Sequence, residues 1–101
     1  YAETIADRMR MIFVAEDPEP SIKAMALDLA IRAATYMNRF AAMDTCRGMV
    51  TSVRDEKLGS AVAAVILRRS DTFISGVEPS ECKSTAIANA LIAVRANDAS
   101  E

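Results

Sequence analysis

Two cysteines, Cys46 and Cys82, are the strongest nucleophiles in this chain of 101 residues, and no histidine accompanies them. A thiol attacks as its thiolate, and histidine is the side chain that generates thiolate near neutral pH. Its absence also removes the commonest general base, the usual metal ligand and the physiological pH switch. Two cysteines cannot close a structural zinc site, which takes four Cys or His ligands. They can form one disulfide, Cys46 to Cys82, the linkage of a secreted helical effector or toxin. Without it they are two small buried hydrophobes in a reducing compartment, which favours an intracellular location.

Ser80 and Lys83 stand three residues apart, the spacing of a serine nucleophile with a lysine base. Ser80 falls at an expected helix start, however, where serine serves as a cap. Carboxylates gather at Glu16, Asp17 and Glu19 and again at Asp55 and Glu56, both times in expected connections where charge is the default. The glycines Gly48, Gly59 and Gly76 are isolated, so no glycine-rich phosphate loop exists. The chain is therefore expected not to be an enzyme and to need no cofactor or metal.

Arg32, Arg39, Arg47 and Arg54 follow one another at seven, eight and seven residues. On one continuous helix they make a stripe able to track phosphates, which is the nucleic-acid reading of this chain. It requires the helix to run through Asp44 and Gly48, and a solvated, salt-bridged face has the same pattern. Twelve basic against fourteen acidic residues leave a net charge of -2, so no global field draws the chain to nucleic acid or an anionic membrane.

The elements that must position these residues are helical. Ala2 to Glu16 places Ile5, Met9, Ile12 and Phe13 on one stripe, the spacing of an amphipathic helix. Asp17 and Pro18 predict a new helix starting near residue 18. It runs through Ile22, Met25, Leu29, Ala33, Tyr36, Met37 and Phe40 on its inward stripe, and a break near residue 43 follows, where Asp44 offers a cap. Leu58 to Leu67 is nearly continuous apolar sequence; its alanines and helical neighbours favour a buried helix over a strand at 62–67. Asp71 to Ser80 is irregular, with Phe73, Ile74 and Val77 too apolar to be left in water. A last helix starts near Pro79 or Ser80 and ends before Asn97, leaving a frayed tail. Glu-Pro-Ser at 19–21 and at 78–80 reflects shared helix-start chemistry rather than a repeat.

These elements predict an all-α fold, a compact bundle of four or five helices forming a single domain over residues 1–101. At 10.9 kDa the chain buries roughly 64% of its unfolded surface, enough for one modest core. The longest uncharged stretches, ten and eleven residues at Leu58 to Leu67 and Ser84 to Val94, are far short of the roughly 18 apolar residues of a membrane span, so a soluble domain is expected. A first residue Tyr1 rather than Met reads as a processed product or a segment trimmed from a longer chain.

Nineteen alanines make the core thin and the helix packing close, and such chains gain from a partner that covers a helix face. All six methionines, Met9, Met11, Met25, Met37, Met43 and Met49, lie in the first half. Met9, Met25 and Met37 are expected on inward stripes. Met11 lies off the stripe of its helix and with Val14 makes a second apolar face. The expectation is a non-catalytic interaction or assembly module, a structural protein that forms a homo-oligomer or docks another protein through Met9, Met11 and Val14. Nucleic-acid binding through the four arginines is the alternative.

Overall fold

The computed structural model describes the backbone of residues 2–34, 36–69 and 76–100, and their side chains apart from 39, 41–43 and 97–100. Among the described residues there are five α-helices, one 3₁₀ turn and no strand, so the expected all-α bundle is the fold. The helices are α1 (Ala2–Val14), α2 (Pro20–Ala34), α3 (Arg39–Thr51), α4 (Glu56–Arg68) and α5 (Thr85–Ser100); the 3₁₀ turn is Pro79–Glu81.

Proline decides where α2 begins. The ring of Pro20 forces Glu19 out of the helical region, while Pro20 itself needs no N–H partner in the first turn. The Glu19 carbonyl accepts the first helical bonds, from the Ile22 and Lys23 amides at 3.0 Å each. The start expected near residue 18 thus shifts to residue 20. α1 correspondingly stops at Val14 rather than Glu16, its last turn closed by the Ala15 amide shared between the Met11 and Ile12 carbonyls.

The break expected near residue 43 lies instead between α2 and α3. The Tyr36 and Met37 amides donate to the Ala33 and Ala34 carbonyls at 3.0 and 3.1 Å, tightening the end of α2. Asn38 Oδ1 then accepts from the Phe40 amide at 3.0 Å and caps α3. Asp44 and Gly48 both sit inside α3.

Asp55 starts α4, its backbone extended and its carboxylate accepting from the Lys57 and Leu58 amides at 3.4 and 3.3 Å. The run from Leu58 to Leu67 is helix, as its alanines indicated. The last helix begins at Thr85, not near Pro79: Glu-Pro-Ser at 78–80 supports only the 3₁₀ turn, where Glu78 makes no side-chain cap. Ser84 caps α5 instead, Oγ accepting from the Ile87 amide at 3.5 Å, and Glu56 Oε1 accepts from the Thr85 amide at 3.3 Å. α5 continues to Ser100, past the end expected before Asn97.

α2 packs against α1, α3 and α4, and α4 packs against α5. One apolar core draws on every helix through Phe13, Leu27, Ile31, Met49, Val50, Val62, Ile66, Ile87, Leu91 and Val94. Val77 is also buried in it, so the irregular segment packs back as expected at that point; Phe73 and Ile74 lie outside the described residues. Met9 and Met37 pack against the core, as their spacing predicted, but Met25 does not. α2 is turned so that Ala24, Ala26, Ala30, Ala33 and Ala34 go inward with Leu27 and Ile31, while Ile22, Met25 and Leu29 face out, and Tyr36 and Phe40, expected on the same inward stripe, lie beyond the end of α2 and are exposed. An almost wholly apolar helix offers several possible inward faces, and the small residues win because they let neighbouring helices approach closely.

Candidate functional site

Apolar side chains left in water are the most informative feature of the surface. Ile22, Met25 and Leu29 are 48%, 65% and 42% exposed, and their spacing of three and four residues lays them along one outward stripe of α2. On α1, Met11 and Val14 are 64% and 58% exposed, while Ala6 and Phe13 are its buried residues. The second apolar face predicted for α1 is therefore present at Met11 and Val14, and Met9 lies on the core side. The α2 stripe was missed because its members were expected inward. The signal that could have found it is the set of alanines at 26, 30 and 33, which repeats at helical spacing and competes for the core.

Met11 and Val14 have different surroundings. Val14 lines a solvent-open cleft of about 300 Å³ shared with Phe13, Lys23, Val53, Arg54 and Leu58, with Ser52 and Asp55 at the α3–α4 link. The cleft joins the end of α1, the head of α2 and the start of α4. Ser52 Oγ donates to the Met49 carbonyl at 2.8 Å, and the Asp55 carboxylate is engaged as the α4 cap.

The four arginines do not share a helix. Arg32 belongs to α2, Arg39 and Arg47 to α3, and Arg54 to the α3–α4 link, so the single continuous stripe is not formed. The Arg39 side chain lies outside the described residues. Arg47 is directed elsewhere: Nη2 donates to the Gly76 carbonyl at 3.2 Å, and Nε lies 3.8 Å from Glu81. Arg95 of α5 holds the same strap from a second helix, donating to the Val77 carbonyl at 2.8 Å and pairing with Glu78 at 3.2 Å. Asp28 of α2 ties α4 down through Arg69 at 2.6 Å and Arg68 at 3.9 Å.

Cys46 and Cys82 are not joined, so the disulfide that the two cysteines could form is absent from the fold. Cys46 is buried within the core, and Cys82 is half-buried, its thiol 3.8 Å from the Glu78 carbonyl. Burial pushes the Cys82 thiol above its ordinary pKa, and the neighbouring Glu81 carboxylate adds to the rise. A raised thiol pKa is the opposite of what a nucleophile needs at neutral pH. Among the described residues no three His, Cys, Asp or Glu side chains gather as a metal site, and no helix is long and apolar enough to cross a membrane.

Comparison with known proteins yields no matching family model, no matching characterised protein and no matching solved structure. The functional reading rests on the geometry.

Proposed function

We propose that this chain is a non-catalytic assembly module that self-associates by pairing the outward α2 faces of two copies. The observation that carries the reading is the stripe Ile22, Met25 and Leu29, exposed on a helix whose other faces are covered by α1, α3 and α4. A spacing of three and four is that of side chains which interlock between two helices. A single short stripe also suits a two-fold pair, because each copy presents the same patch and Met25, its middle member, falls near the axis. A flexible thioether adapts to its own copy there. Three half-exposed side chains per copy give weak, concentration-dependent association, since their burial must offset the cost of immobilising two bodies.

Light scattering on the Met25→Asp/Leu29→Asp variant tests this reading. Both positions are exposed, so helicity by circular dichroism stays that of the parent while the mass at high concentration falls to that of one chain. Met11→Asp on the neighbouring helix weakens association less. A double variant that associates as the parent does removes the α2 face from the assembly.

A further inference from the structure

The cleft beside Val14 has a character distinct from the α2 stripe. Its apolar lining comes from Phe13, Val14, Val53 and Leu58, and two cations, Lys23 and Arg54, line it as well. The one acidic residue there, Asp55, already accepts from the Lys57 and Leu58 amides, which blunts its opposition to an incoming anion. The nearby Glu56 carboxylate accepts from the Thr85 amide. At about 300 Å³ and open to solvent, the space is at the small end of ligand sites and suits one or two side chains rather than a cofactor.

We propose that this cleft is a docking site for an acidic segment of a partner protein, which inserts a Leu or Phe side chain between Val14 and Leu58 and places flanking carboxylates against Lys23 and Arg54. The occupant follows from charge complementarity: Lys23 and Arg54 line the same cleft as the apolar residues, so carboxylates on either side of an apolar anchor pair with them. Anchoring by one buried side chain with a charged rim is the usual anatomy of a small protein-docking pocket. The site goes beyond self-association through α2 and does not depend on it, since it uses a different set of residues.

The test is a nuclear magnetic resonance titration of the isotopically labelled full chain with four capped pentapeptides. Each carries a central Leu or Phe, and the other four positions are all Asp or all Lys. The acidic peptides shift Val14, Val53 and Leu58 saturably, and the basic peptides bind about tenfold more weakly, the ratio expected when two rim cations exchange attraction for repulsion. The Lys23→Glu/Arg54→Glu variant reverses that preference; Arg54→Glu alone, at an exposed link position, narrows it if the double variant does not fold. Equal binding of acidic and basic peptides, shifts confined to other surfaces, or no saturable shift with the acidic pair would overturn the proposal. None of these outcomes bears on the mass measured by light scattering, so this site and the α2 pairing fail separately.

Discussion

Gly59 of α4 and Ser84 at the head of α5 touch so closely that a Cβ on Gly59 would overlap Ser84 Oγ and lie 3.1 Å from Ser84 Cβ. Ser84 is fully buried and its hydroxyl caps α5, so it is not free to swing away. Gly59→Ala is therefore expected to destabilise the fold by about 1–2 kcal/mol, overpacking outweighing the gain in helix propensity. Ser84→Gly in the same chain restores most of the loss, because glycine is tolerated as a cap. Gly48 gives the opposite sign. It lies in α3 with open space around it, and Gly48→Ala stabilises by about 0.5–1 kcal/mol. Thermal melts of the three variants decide this; two alanine variants that move together would contradict the close α4–α5 contact.

The position of the α2–α3 break is tested at its cap. Asn38→Ala removes the acceptor of the Phe40 amide and costs about 1 kcal/mol. Asp44→Ala, within α3, leaves stability unchanged or slightly raised, alanine being the better helix former. The reverse order in urea unfolding would return the break to residue 43.

Arg95 and Arg47 hold the strap at 76–81 from two helices. Arg95→Ala frees the Val77 carbonyl and eases local opening by about 1 kcal/mol, roughly a fivefold rise in exchange. Amide hydrogen exchange should quicken at Glu81 and Cys82, whose amides close the 3₁₀ turn, and stay unchanged at Leu27 and Ile31. Uniform acceleration, or none, would show that the arginine does not fasten this segment.

Cys82 should alkylate more slowly than free cysteine at pH 8, because burial and then Glu81 hold its thiol protonated. Glu81→Gln removes the smaller cause and speeds the reaction modestly. Cys46 reacts only as the core opens. The folded state binds the Cys82 proton more tightly than the unfolded one. Its contribution to stability is therefore complete below the unfolded pKa and lost as pH rises through the raised folded value. A Cys82 rate equal to that of free cysteine would contradict the burial.

Much of the helix count was legible because local chemistry marks it: the charged connection at 54–57, the alanines at 61, 63 and 64 against a strand, the amphipathic stripe of α1. The errors fall where two local signals compete. Asp17 with Pro18 and Glu19 with Pro20 both resemble helix starts, and the second prevails because a proline at the head of α2 cannot be preceded by helix. Asn38 and Asp44 are both capable caps, and the apolar period running through Tyr36 and Phe40 hid the first. The orientation of α2 is not a local property, since its neighbours choose which apolar face is covered. Met11 and Val14 stood out by leaving the α1 stripe, whereas the cleft could not be read, because it joins Val14, Lys23 and Arg54 from three separate segments.

The most direct test of self-association is sedimentation equilibrium of the unaltered chain across a wide concentration range. With α2 pairing, the apparent mass rises from 10.9 kDa toward twice that value with concentration, and stays at 10.9 kDa for Met25→Asp/Leu29→Asp. A mass of 10.9 kDa at every concentration of the unaltered chain would contradict it.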